Sequence, residues 1–310
     1  MNGSVRSSAG MVWRHQRLVW WIFAVNLVIA WLASLPSRAT LSAVLDHSLE
    51  SARMVTGFDV SSFVLMLQRP DVSTRTVGPA MMGAAFLFLV YLLFVDGGVM
   101  AVYLDDRKLS RAEFFENSGL FFWRMVRLAL YSLIPLGVVA MAHGTFNKLT
   151  EKLSSDAPQE RLGFFVNLAG MLGVLLLSLL IRMWFDLAQA RVVKDNERQL
   201  LRTVWRSLKL AFRSGRLYAS YLGVGVFAAA TFGLGTWIWI LLPHRAMGAS
   251  FVVLEAVTAA QIASRLWMKA ASARWVALLP EAALVVEVVV PVESPVMVVE
   301  PVVDEPPVSE

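Results

Sequence analysis

The 310-residue chain contains no cysteine, which excludes disulfides and any thiolate-held metal or iron–sulfur centre. Charge is also scarce: Asp, Glu, Lys and Arg make up 16% of the residues, below the ~25% of an ordinary soluble domain. No nucleophile elbow, GxGxxG loop, Walker A loop or HExxH helix occurs, so the enzyme classes that need those signatures are excluded. Paired carboxylates or a Ser–His pair at matching depth are missing too. What fills the space is apolar: 57% of residues are hydrophobic and the mean hydropathy is +0.61. That balance describes a protein dissolved in lipid rather than in water.

Crossing ~30 Å of hydrocarbon as helix takes about 20 apolar residues, because each backbone N–H and C=O must be satisfied within the segment. Six stretches meet that length: Leu18 to Leu35, Pro79 to Tyr103, Met125 to Ala142, Gly163 to Phe185, Tyr218 to Leu242 and Met247 to Met268. The expected fold class is an all-α membrane protein, a bundle of six transmembrane helices with interfacial amphipathic helices. Residues 1–17 read as an N-terminal segment, 18–270 as the transmembrane domain and 271–310 as a tail. Pro135 is expected to bend the third span. Sliding the chain by 90 residues aligns Asp96 with Asp186, Asp105 with Asp195, Phe122 with Phe212 and Tyr131 with Tyr221. Four identities in so biased a composition do not establish a repeat.

Basic residues near helix ends resist translocation. Nineteen Lys and Arg fall on one side of the six spans and eight on the other, which predicts that the base-rich side, with both termini, is cytoplasmic. Trp20, Trp21 and Trp267 at that side and Trp31, Trp237 and Trp239 at the other suit an aromatic belt. The start also loosely resembles a signal peptide ending in Ser37-Arg38-Ala39. Its apolar run exceeds the ~7–15 residues of such a core, so a retained first span is expected. Residues 281–310 carry seven acids and no base, leaving 28 bases against 16 acids, a net +12, in the first 280 residues. Six prolines in residues 280–310 block a β ladder there, and a disordered acidic tail is expected, with a protein partner as the sharper reading.

An ionisable residue inside a span costs on the order of 3 kcal/mol on insertion scales and by default faces a bundle interior, a cavity or a partner. Asp96, Arg182, Asp186 and Glu255 are the intramembrane polar candidates. At ~1.5 Å per residue from the outer ends of their spans, Asp96 and Arg182 lie about 26 and 29 Å deep, level with each other. Asp186 follows Arg182 by four residues on the same helix. The reading is an arginine held by Asp96 across helices, by Asp186 along its own helix, or by both, with a role in moving an ion or substrate as the alternative. Glu255 sits roughly 12 Å in from the opposite side and is expected to pack against another helix, with a proton-coupled site as its alternative. Asn26 and Asn167 are expected to bond between helices.

Small residues every four positions, Gly225, Ala229 and Gly233, and again Ala169 and Gly173, predict close helix packing, with a homo-oligomer seam as the other use. Between the fourth and fifth spans, Leu201, Val204, Leu208 and Ala211 or Phe212 share one helix face, and Arg198, Arg202, Arg206, Lys209 and Arg213 turn away. This is the pattern of a helix in the cytoplasmic headgroups with its bases near anionic lipid. Nucleic acid is not expected, because no base-stacking or groove-reading module accompanies the charge. The loop SRAEFFENSGLFFWRMVR reads as a second interfacial segment. TLSAVLDHSLESARMV reads as an outer amphipathic helix carrying His47 and Glu50. With His143 and His244 these are scattered interface histidines rather than a zinc site, and no metal or cofactor is expected.

Phe94-Val95-Asp96-Gly97-Gly98-Val99, then Tyr103, Phe114-Phe115, Phe122-Trp123-Arg124 and Arg127-Leu128, resembles a pattern of six-helix bacterial integral membrane proteins of unassigned function. These are distantly similar in layout to the membrane domain of some glycerophosphodiester phosphodiesterases. The resemblance implies a helical bundle in a bacterial inner membrane over residues 10–270 and transfers no active site, because no phosphodiesterase domain is present. The leading functional expectation is a non-enzymatic inner-membrane protein that organises or assists other membrane components. A transporter or permease component with a polar path through Asp96, Arg182 and Glu255 is the alternative, and a membrane-embedded lipid-acting enzyme is the third reading.

Overall fold

Backbone sunk in hydrocarbon has no water to bond with, and each regular element among the described residues is accordingly a helix. The computed structural model describes residues 2–45, 74–156, 160–196, 199–243 and 246–279. The elements are α1 (Asn2–Arg14), α2 (Gln16–Leu45), α3 (Thr74–Asp105), α4 (Arg111–Asp156), α5 (Glu160–Lys194), α6 (Leu200–Arg213), α7 (Gly215–Leu241) and α8 (Met247–Ala277). Six of these, α2 to α5 with α7 and α8, are long and apolar enough to cross a membrane. The acidic tail, Arg198, His244 and the part of the expected outer helix with His47 and Glu50 lie outside the described residues; its first residues, up to Leu45, continue α2.

Several helices overrun the spans expected from hydropathy. α4 is one element of 46 residues that continues through Pro135, and α8 runs nine residues past Met268 to Ala277. The start of α4 is fixed by a reciprocal cap: the Glu113 N–H donates to Ser110 Oγ (3.2 Å) and the Ser110 N–H donates to Glu113 Oε2 (2.7 Å). Residues 2–14 are not a loose leader. Ser8 and Met11 of α1 are buried, and Trp267 of α8 donates its indole N–H to Ser8 Oγ at 3.0 Å.

The eight helices form three tandem units, each a leading helix that runs directly into a span, then a return span. These are α1–α2–α3, the two halves of α4 with α5, and α6–α7–α8. Each return span buries a charged residue eight or nine positions before its end: Asp96 in α3, Asp186 in α5 and Lys269 in α8. Asp106 and Asn196 both adopt left-handed backbone, φ 47° and 48°, as short polar side chains can. Each accepts from an arginine of its own unit's leading helix, Arg14 at 2.8 Å and Arg124 at 2.6 Å. Leading helices pack around the bundle in turn, α4 on α3, α6 on α5 and α1 on α8. Of the residues that the 90-residue offset aligns, Asp96 and Asp186 are both buried near the ends of their spans, whereas Arg14 and Arg124 lie 110 residues apart, so the offset does not carry through the unit.

The core is concentrated in the base-rich half. Val95 to Tyr103 is an unbroken buried run, which places the end of α3 at the centre with neighbours all round. Gly97 and Gly98 allow this: a Cβ on Gly98 would collide with Ser118 Oγ and lie 2.8 Å from the Phe114 ring, and one on Gly97 would lie 3.0 Å from Phe121 Cβ. In the opposite half Phe86, Ile134, Met171, Phe232 and Phe251 are more than half exposed, as lipid-facing side chains are.

Candidate functional site

Two polar clusters on adjacent turns occupy the middle of the base-rich half. In the first, Lys269 Nζ of α8 lies 2.7 Å from Asp96 Oδ1 of α3. Gln189 of α5 closes the triangle, donating from Nε2 to Asp96 Oδ2 (3.2 Å) and accepting at Oε1 from Lys269 Nζ (3.0 Å). Both carboxylate oxygens are engaged, and Lys269 is 3% exposed, so the pair is held out of water by three helices. One turn away, the Tyr221 hydroxyl of α7 lies 2.7 Å from Asp186 Oδ2, 2.6 Å from Ser272 Oγ and 3.1 Å from the Met268 carbonyl. Tyr221 and Ser272 are fully buried. Together the clusters tie α3, α5, α7 and α8.

This differs from the expected pairing of Asp96 with Arg182. Arg182 is exposed, and among the described residues it has no ion pair or hydrogen bond with Asp96 or Asp186. The physical reason is helix phase. Met183, Asp186, Leu187 and Ala190 form the buried stripe of α5, and Arg182 falls beside it, where its long side chain reaches the surface. Lys269, counted in the sequence among the flanking bases, is the true partner. Its signal was spacing: Leu266, Lys269, Ala273 and Val276 recur at three- and four-residue steps, so this lysine occupies a core position.

Small-residue packing is also placed differently. A Cβ on Gly225 would lie 3.5 Å from Leu179 of α5, an ordinary contact, but Ala229 and Gly233 are exposed. The close approaches are at Gly235 on α7, where a Cβ would collide with Val257 of α8, and at Gly170 on α5, where a Cβ would lie 2.9 Å from the Phe146 ring. Gln261 of α8 reaches the Ala228 carbonyl (2.8 Å) and Thr231 Oγ1 (3.2 Å) of α7. Asn167 is exposed, and Asn26 Oδ1 is buried without a partner.

α6 has three stripes rather than two. Leu200, Thr203, Ser207 and Ala211 are buried against the bundle, and Trp184 of α5 donates to the Val204 carbonyl at 2.8 Å. At ~100° per residue, Leu201, Trp205 and Phe212 fall about a third of a turn away and are exposed. The bases Arg202, Lys209 and Arg213 occupy the next sector, also exposed, and Arg206 on that sector is half-buried. The expected apolar face is thus split: Ala211 is buried, Val204 and Leu208 are half-buried, Leu201 and Phe212 point away, and Thr203 and Ser207, which the sequence reading passed over, join the contact. Lys194 at the end of α5 caps α8, donating to the carbonyls of Val276 (3.1 Å) and Leu279 (2.8 Å).

A cavity of about 360 Å³ opens at the base-rich end, between Asp105, Asn117, Lys194 and Ala277. A larger one, about 710 Å³, lies in the opposite half and includes Glu255. Neither of these two is lined by Asp96, Asp186 or Lys269. Comparison with known proteins gives no match to this chain, whether among family models, curated proteins or solved structures.

Proposed function

We propose that this is a non-enzymatic multi-pass protein of a bacterial inner membrane, its base-rich end cytoplasmic, which organises other membrane components by gathering anionic lipid headgroups around that end. The observation that carries the reading is the three-striped α6. One sector is docked on the bundle, the next offers Leu201, Trp205 and Phe212 to lipid, and the third presents Arg202, Lys209 and Arg213 at the polar boundary. Trp13, Trp20 and Trp123, all more than half exposed at the same end, suit the headgroup level. A transport path through Asp96, Arg182 and Glu255 draws less support, because the first is closed in an ion pair, the second lies on the outer surface and the third lines a separate cavity.

Native mass spectrometry of the purified protein with phosphatidylglycerol and phosphatidylethanolamine tests this reading. Replacing Arg202, Lys209 and Arg213 with glutamine is expected to weaken phosphatidylglycerol retention by about 1 kcal/mol per base and to leave phosphatidylethanolamine unchanged. Equal retention of both lipids by the parent protein would sink it. Sidedness is checked separately: the chain has no cysteine, so Lys108→Cys and Trp239→Cys report alone. In intact spheroplasts an impermeant maleimide should label the second and spare the first.

A further inference from the structure

The 710 Å³ cavity lies between α2, α3 and α8, within the ~300–1,000 Å³ typical of small-ligand sites. Phe23, Ala33, Ala84 and Phe88 belong to its largely apolar wall, into which Asn26 and Glu255 bring polar groups. Asn26 Oδ1 is buried without a hydrogen bond, and among the described residues Glu255 has neither hydrogen bond nor ion pair. The Ser34 and Thr258 hydroxyls, also in the wall, donate to the carbonyls of Trp31 (2.7 Å) and Leu254 (2.9 Å), so only their lone pairs face elsewhere. Among the described residues, no lysine or arginine lines the cavity.

A polar group left unmatched away from water is costly, and these groups share one deficiency: they are acceptors in need of donors. A phosphate or carboxylate would bring more lone pairs and negative charge to Glu255. An ammonium brings N–H donors and the opposite charge, and two phenyl rings in the wall suit a cation. Glu255 is eight residues into α8, roughly 12 Å along the helix, deeper than a phospholipid places its phosphate without a basic partner. We propose that the cavity binds a lipid-soluble amine without a phosphate, its ammonium at Glu255 and Asn26 and its hydrocarbon body along α2 and α3. The proposal is independent of the lipid-gathering role, since Arg202, Lys209 and Arg213 lie at the other end of the bundle.

Native mass spectrometry of the full chain with dodecylamine, dodecanoic acid and phosphatidylethanolamine supplies the test. Dodecylamine should bind saturably at one site and dodecanoic acid should not. Glu255→Gln should weaken dodecylamine binding at least tenfold, and Ala84→Trp, which fills the cavity without touching its charge, should abolish it. Thermal unfolding of each variant shows whether it is folded. Equal binding of amine and acid, or amine binding unchanged in both folded variants, overturns the proposal. So does a site that takes phosphatidylethanolamine in preference to dodecylamine and loses it in Glu255→Gln, because the phosphate exclusion would then be wrong.

Discussion

The two halves of this bundle treat charged side chains away from water in opposite ways. In the base-rich half every charged core residue is matched: Asp96 with Lys269 and Gln189, and Asp186 with Tyr221, within tightly fitted helices. In the other half, among the described residues, Glu255 stands without a hydrogen bond or ion pair beside an open cavity. Identical chemistry therefore carries different consequences by location. Matched groups clamp helices together, whereas unmatched ones cost stability and leave hydrogen bonds to be completed by something else.

Substitutions should separate the halves. The largest effect is expected for Lys269→Met, which strands Asp96 as an uncompensated buried charge at about 3–5 kcal/mol. Adding Asp96→Leu should restore most of that loss in a thermal or denaturant unfolding assay in detergent. Gly98→Val follows at roughly 1–3 kcal/mol, since its side chain must displace Ser118 and Phe114 where α3 meets α4. Tyr221→Phe removes the hydroxyl that joins Asp186 to Ser272 and should cost a similar or smaller amount, about 1–3 kcal/mol. Glu255→Leu reverses the sign: with no partner to lose, the variant should be more stable than the parent by about 1 kcal/mol while losing amine binding. A loss there as large as that of Lys269→Met would erase the contrast between the halves.

Hydropathy alone places six spans, because length and apolarity are local properties that the bilayer reads directly. Partner choice is not local. Depth counting put Asp96 and Arg182 level, yet level residues meet only if both helices turn the right faces inward, and Arg182 sits one position off the buried stripe. Lys269 went unnoticed because it lies just beyond the apolar window and reads as a flanking base. Only the continued three- and four-residue spacing through Val276 reveals a core position. The stripe of α6 was misassigned for a related reason. Thr203 and Ser207 carry little hydrophobic signal, but their small size permits burial against the bundle.

The most direct test of this account is a pair of double-mutant cycles on unfolding free energy, Asp96→Asn with Lys269→Gln, and Asp96→Asn with Arg182→Gln. The account predicts a coupling of at least about 1.5 kcal/mol in the first and additivity within about 0.5 kcal/mol in the second. Additive losses at Asp96 and Lys269, with coupling to Arg182 instead, would contradict it.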